Sequence, residues 1–261
     1  MQKILTPLDE RLSDYSLLKS KESPSDTFVA DHEKTAVRLL LSDFEVQSVF
    51  CTDKYWQKHK DLITSKLPDE KKCFVADKSI FEETIGFPVH QGFMAVGKQK
   101  WAKEEDLTFP ILILNAIVDS ENIGSILRSA AAFGIQSVLF DTKSASPYLR
   151  RSVRVSMGAI FQLHVAKSSN LPESIKRLQE RSAHVISLAL PKENSVHVSK
   201  TKTIQEIGKP SNLVLIIGNE ANGIEESVLD VSHVIGYIPM KNKIDSLNVS
   251  HALAVALSHL L

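Results

Sequence analysis

The stretch Ile238-Pro239-Met240-Lys241-Asn242-Lys243-Ile244-Asp245-Ser246-Leu247-Asn248-Val249-Ser250 joins two elements of different period. Before it, Val234, Ile235, Tyr237 and Ile238 are β-formers, and Pro239 ends the ladder because it has no N–H. Lys241 to Asp245 is polar and predicts a turn. From Ser246 to Leu261 the pattern is helical, with apolar Leu247, Leu253, Val255, Ala256, Leu257, Leu260 and Leu261 and helix-favouring Ala252 and Ala254. Ser246 suffices as the N-cap of this helix. Asn248 and Ser250 add polar groups beside a strand end that one cap does not require. Taken alone, they read as a cap and a solvated first turn; the earlier chain changes that reading.

Upstream, Ile111 to Leu114, entered from Pro110, and Leu213 to Ile217 are near-continuous apolar runs, as in strands of a parallel sheet covered on both faces. Further strands are expected at Ser137–Asp141, Leu163–Val165 and His184–Leu190, with a helix over Leu171–Arg181 and an irregular polar span over Pro191–Asn212. The first run leads to Asn122-Ile123-Gly124-Ser125-Ile126-Leu127-Arg128 and on to Phe133-Gly134. Asn122 is the expected N-cap and Gly134 the left-handed terminator. Arg128 stands among apolar and small neighbours, six residues from Asn122, so an ideal helix does not put both on one face. A solvent-facing arginine is the plain alternative. The second run ends in Gly218-Asn219-Glu220-Ala221-Asn222-Gly223. No G-x-G-x-x-G follows a strand and no G-K-[ST] occurs, and Glu220 would repel an anion. A neutral or cationic ligand held by backbone groups suits this loop better.

Basic and acidic residues balance at 31 each, which excludes a globally basic nucleic-acid binder but not a local basic face. The most basic segment is Ser146 to Gly158, where Arg150, Arg151 and Arg154 occur with no acid, and arginine suits bidentate phosphate contacts. Cys51 and Cys73 suggest buried thiols in a reducing compartment. Without a histidine cluster beside them, no metal site is expected. No signal-like segment and no apolar run near the ~20 residues of a membrane span is present, which points to the cytoplasm.

Residues 1–26 are polar, and Ser20, Ser23, Pro24 and Ser25 suggest a loose connector. Strands are expected at Phe28–Ala30, Val46–Cys51, Cys73–Ala76 and Gly92–Val96, and helices at His32–Leu41, Asp53–Lys66 and Ser79–Ile85. This is a small α/β layer, followed by a candidate linker over Lys98–Asp106. Lys54, Lys58, His59 and Lys60 form a basic helix face, read either as solvated or as a phosphate contact.

Three segments stand in order: Asn122…Gly124…Arg128…Phe133-Gly134, then Gly218-Asn219-Glu220-x-x-Gly223, then Ile238-Pro239-Met240…Ser246-Leu247-Asn248-Val249-Ser250-x-Ala252. Together they resemble the three motifs of the SpoU/TrmH branch of the SPOUT RNA methyltransferases, over roughly residues 107–261. The first hundred residues more loosely resemble the substrate-binding domain many members carry, similar to kink-turn-binding ribosomal proteins. The resemblance implies an N-terminal extension (1–26), an RNA substrate-binding α/β domain (27–105) and a methyltransferase domain (106–261) whose parallel sheet carries a deep trefoil knot. It implies a homodimer without membrane contact and S-adenosylmethionine bound by knot loops, with Gly218, Ile238 and Leu247, and further Met240 and Asn219, as cofactor contacts. The implied reaction is methyl transfer to a ribose 2′-hydroxyl in structured RNA, with rRNA leaning ahead of tRNA. Arg128 is the implied key catalytic residue, as a base perturbed by its surroundings or as an electrostatic stabiliser. Asn122, Glu220, Ser246 and Asn248 would position it, the cofactor or the ribose. Arg150, Arg151 and Arg154 would hold RNA phosphates, on the ground of charge. The alternative is a non-catalytic RNA-binding or ribosome-assembly module on the same fold. One departure stands out: where relatives often carry Asp-Pro-Gly or similar, this chain has Asp119-Ser120-Glu121, without the turn-fixing residues.

Overall fold

A computed structural model describes residues 1–16, 26–191, 196–242 and 246–261. The Ser20–Ser25 connector and part of the Lys241–Asp245 turn lie outside them. The chain forms two compact units, Met1–Lys100 with Ser146–Phe161, and Trp101–Ala145 with Gln162–Leu261.

The first unit contains β1 (Gln2–Lys3), α1 (Ser13–Ser16), β2 (Thr27–Asp31), α2 (Glu33–Leu41), β3 (Val46–Thr52), α3 (Asp53–Lys66), β4 (Cys73–Ala76), α4 (Lys78–Ile85) and β5 (Phe93–Lys98). Its five-stranded sheet has the order β1-β4-β3-β5-β2. β3 pairs parallel with β4 and antiparallel with β5, which pairs antiparallel with β2. The polar N-terminal segment is more structured than its composition suggests. β1 adds an edge strand beside β4, and Ile4, Leu12 and Tyr15 are buried. Three apolar side chains spread over twelve positions carry no period, so this docking is invisible to pattern reading. Residues 146–161, expected within the C-terminal domain, pack here instead. The Tyr148 and Phe161 rings stack on Phe28 at 5.3 and 5.6 Å, and Phe44 meets Phe161 edge-on at 5.4 Å. Aromatic pairs at such spacing add to the burial of their large apolar surfaces.

The second unit contains β6 (Ile111–Asn115), α5 (Ser120–Ala132) and β7 (Ser137–Phe140). After the excursion α6 (Arg150–Val155) it continues with β8 (His164–Lys167), α7 (Leu171–Glu180), β9 (His184–Leu188), β10 (Thr201–Thr203), β11 (Leu213–Gly218), α8 (Glu226–Asp230), β12 (Val234–Tyr237) and α9 (Val249–Leu260). All seven strands pair in parallel, in the order β10-β12-β9-β11-β6-β7-β8. The apolar runs β6 and β11 lie side by side inside the sheet and are buried, as their composition predicts. β10 falls inside the span expected to be irregular; Thr-Lys-Thr is too short and polar to signal an edge strand. Helix α5 packs against α9.

Two helix starts differ from expectation. α5 is capped by Asp119, whose Oδ1 accepts from the backbone N–H of Glu121 (2.6 Å) and Asn122 (3.1 Å), leaving Asn122 inside the first turn. α9 is capped by Asn248 rather than Ser246; its Oδ1 accepts from the Ser250 N–H at 2.9 Å. Ser246 and Leu247 therefore precede the helix, which the sequence pattern starts at Ser246. In both cases adjacent residues could cap, and the carboxylate or amide that reaches an N2 or N3 N–H decides the start.

Candidate active site

Parallel sheets place ligands beyond the C-terminal ends of their strands. Here the ends of β9, β11 and β12 open into a cavity of 610 Å³. Gly218 ends β11 and lines it. A Cβ there would stand 2.6 Å from the Gly223 backbone carbonyl and 2.5 Å from the Ile224 side chain. Only glycine lets the loop fold back this closely on its strand. Gly223 turns the chain with φ +73, and its N–H donates to the Asn219 carbonyl at 2.8 Å.

Asn219 fixes the loop from inside. Its Oδ1 accepts from the N–H of Ala221 (2.9 Å) and Asn222 (3.0 Å), so its amide nitrogen must point away, and it donates to the Ala116 carbonyl at 2.9 Å. Beneath lies a hub that sequence reading missed. Asn115 is fully buried at the end of β6; its amide nitrogen donates to Asp141 Oδ2 at 3.1 Å and its oxygen accepts from the Glu225 N–H at 2.8 Å. Asp141 Oδ2 also accepts from the Ala116 N–H (2.8 Å), and Asp141 Oδ1 from the Ser144 N–H (2.7 Å). One carboxylate and one amide thus tie the ends of β6 and β7 to the Gly218–Glu225 loop. A buried carboxylate needs several donors, and this one has three. The available signal was a polar residue closing an apolar strand, at Asn115 and again at Asp141.

The three motif segments meet at the rim. Asn248 donates from its amide nitrogen to Asn122 Oδ1 at 2.9 Å, and the Asn122 amide nitrogen donates to Glu220 Oε1. The direction is forced: Asn248 Oδ1 already accepts from Ser250, so only its NH₂ can face Asn122, whose own NH₂ must then face Glu220. A side chain from α5, one from the β11 loop and one from the start of α9 form a single relay ending on a carboxylate. Gly218, Asn219, Glu220 and Asn248 line the cavity, as do Ile238, Met240, Ser246 and Leu247. Leu188, Leu229 and Ile235 add an apolar wall, and Thr201 and Tyr237, which sequence reading missed, complete it.

Arg128 is not a lining residue. It is exposed on α5, seven residues and nearly two turns from Glu121, and makes no ion pair or hydrogen bond among the described residues. At the α5 entrance, where Asp119-Ser120-Glu121 stands, Asp119 is the N-cap.

The remaining predicted arginines lie in the first unit. Arg150 is held by the fold: its Nε and Nη2 donate to Asp31 Oδ2 at 2.9 and 2.8 Å, Asp31 is fully buried, and the guanidinium lies 4.9 Å above the Phe87 ring. Arg151 is exposed and Arg154 half-buried. Lys58 and His59, on the basic face of α3, both reach Glu33, at 2.6 and 2.7 Å; these contacts, the Lys58 hydrogen bond foremost, hold the Glu33 carboxyl below its usual range. Among the described residues no helix is long and apolar enough to cross a membrane.

Comparison with known proteins gives the same assignment. The model of the SpoU rRNA Methylase family matches residues 110–258. The chain is 25% identical over 264 residues to the 23S rRNA (guanosine(2553)-2′-O)-methyltransferase RlmP of Bacillus subtilis, covering 100% of this chain and 99% of the relative. It is 28% identical to an uncharacterized tRNA/rRNA methyltransferase of Mycobacterium tuberculosis, covering 98% and 90%. The fold matches an AdoMet-bound rRNA methyltransferase from Sinorhizobium meliloti at a TM-score of 0.83, with 18% identity over 99% of this chain and 97% of the other. With more than half of its residues matched by the family model, the chain belongs to the SpoU rRNA Methylase family.

Proposed function

We propose that the protein transfers a methyl group from S-adenosylmethionine to a ribose 2′-hydroxyl of structured RNA, rRNA in preference to tRNA. The observation that carries this reading is the Asn248–Asn122–Glu220 relay on the rim of a cavity at the strand ends. The cavity fits the cofactor. Its 610 Å³ is within the roughly 300–1,000 Å³ of small-molecule sites. Its wall combines apolar side chains with the loop Gly218–Gly223, which folds back closely on its strand. Glu220 is the carboxylate on the lining, which suits a cation rather than a phosphate.

Gly218, Ile238 and Leu247 would hold the cofactor largely through backbone atoms, with Met240 and Asn219 beside them. When bound, the cofactor supplies an electrophilic methyl on a sulfonium. The protein's own task is then to hold the hydroxyl in line and to stabilise the charge left as its proton departs. Glu220 is held at the rim by the Asn122 amide, which Asn248 holds in turn. Ser246, exposed ahead of α9, offers a hydroxyl to the ribose. Arg128, exposed and unpaired within its own chain among the described residues, is available to the developing alkoxide from a second copy across a dimer interface. This reading includes the homodimer, the trefoil knot, an RNA-holding role for the N-terminal unit and work in the cytoplasm. Arg151 and Arg154 remain candidates for RNA phosphates, whereas Arg150 serves Asp31.

The test is transfer of labelled methyl groups from S-adenosylmethionine to total RNA from a strain lacking the protein, followed by size fractionation and nucleoside mass spectrometry. A 2′-O-methylated nucleoside in one large rRNA is expected. A folded protein that binds the cofactor yet labels no RNA would favour a non-catalytic RNA-binding module.

A further inference from the structure

Away from the relay, the second unit brings together three donors of a different kind. His197 precedes the short 3-10 turn Val198–Lys200 and is buried, with 6% of its side chain exposed. Its Nε2 lies 2.7 Å from Glu226 Oε1 and 3.5 Å from Asp230 Oδ1. All three donor atoms fall within 4.8 Å of one another. Glu226 and Asp230 stand four residues apart on α8, where like charges on one face destabilise a helix. Among the described residues neither carboxylate meets a lysine or arginine. The nearby cation, Lys200, is spent on the end of the same helix: its Nζ donates to the backbone carbonyls of Leu229 (2.6 Å), Asp230 (3.2 Å) and Ser232 (3.2 Å).

We propose that His197, Glu226 and Asp230 form a binding site for a divalent transition-metal ion, Zn²⁺ foremost. The donor set is one imidazole nitrogen and two carboxylate oxygens, a combination suited to a borderline ion rather than to Ca²⁺ or Mg²⁺. An ion with bonds of about 2.0–2.2 Å spans donors about 3–4 Å apart, which small rotations of the two exposed carboxylates provide. The buried imidazole fixes one position, while the half-open carboxylates leave an approach from solvent and a place for water. The charges then balance: the ion offsets two carboxylates that otherwise repel along α8. Sequence spacing hides the site, because His197 lies 29 residues from Glu226 in a polar span. The ion would pin the turn at 197–200 to α8. α8 gives Leu229 to the cavity wall and Thr201, directly after the turn, adds to it, so the metal would stiffen that wall without entering it. The inference does not rest on the methyl-transfer reading.

The test is calorimetric titration of the chelator-stripped full chain with ZnCl₂, with a parallel thermal-shift measurement. One ion per chain is expected, with a rise in Tm. Glu226→Gln and Asp230→Asn should each weaken the affinity at least tenfold and abolish the thermal shift. Both side chains are exposed, so these variants keep the fold even where His197→Gln does not, and circular dichroism checks this. His90→Gln, at an exposed histidine of the other unit, should change nothing. Absence of Zn²⁺ binding, or binding that survives both carboxylate changes with unaltered stoichiometry and affinity, overturns the proposal.

Discussion

Arg128 on α5 and Arg150 on α6 carry the same guanidinium on successive helices of the chain, yet the structure employs them in opposite ways. Arg150 closes on a fully buried aspartate and an aromatic ring. Arg128 stands in solvent with no ionic partner among the described residues. A buried charge obliges the fold to supply its counter-charge, so Arg150 is consumed by folding. An exposed, unpaired arginine costs the fold little and remains available to a substrate. Charge alone does not distinguish the two; the location of the partner does.

The largest expected effect tests the folding side. Arg150→Ala leaves Asp31 buried and uncompensated, which should cost about 3–5 kcal/mol in denaturant unfolding. Arg151→Ala, at an exposed position, should stay within about 0.5 kcal/mol. Equal effects would mean that Asp31 does not depend on Arg150. Next comes the catalytic side. Arg128→Ala should reduce methyl transfer by about 10²–10³-fold, as for loss of one charge-stabilising donor, with Tm unchanged. Arg128→Lys should retain part of the rate if the role is electrostatic. Unaltered turnover in Arg128→Ala would remove the contrast altogether.

A smaller effect is expected at Gly218, where the site constrains the fold instead of being supported by it. Gly218→Ala drives a methyl into the Gly223 carbonyl and should cost about 1–3 kcal/mol while weakening S-adenosylmethionine binding in calorimetry. Wild-type affinity would show that the loop moves aside freely.

The smallest expected effect is a pH dependence around Arg150. Burial lowers the pKa of His32; Asp31 opposes this, and Arg154 and Arg150 add to it. A depressed histidine favours its neutral form in the folded chain, so its contribution is complete above the unfolded pKa of about 6.5 and is lost as pH falls below it. Denaturation midpoints should therefore drop between about pH 7 and pH 5, and His32→Gln should flatten the curve. His184, lowered by burial and by His233, contributes with the same sign, so His184→Gln is the necessary comparison. A slope unchanged in both variants would assign the acid sensitivity elsewhere.

Much of the second unit was legible because its strands are apolar throughout and its motif residues close them. Ile111–Leu114 and Leu213–Ile217 announce parallel strands, and Glu220, Asn248 and Asn122 do meet. The helix caps were misread because several residues in a row could cap, and only the fold selects which oxygen reaches an N–H. The partner of Arg150 was out of reach for a different reason, since Asp31 lies 119 residues away and reads as an ordinary strand-end acid. Asn115 and Asp141 were passed over as single polar residues, although together they hold the loop that forms the cavity.

The packing of Tyr148 and Phe161 on Phe28 also constrains the order in which the protein can be made. On the ribosome the first hundred residues emerge early, but their unit lacks two core rings and the Asp31 counter-ion until residue 161 has left the exit tunnel. By then β6, α5 and β7 have already been synthesised. A nascent chain arrested before residue 146 should thus expose a sticky aromatic surface and recruit chaperones. One arrested well beyond residue 161 should become protease-resistant in its N-terminal part. No single cut in the chain separates the two units.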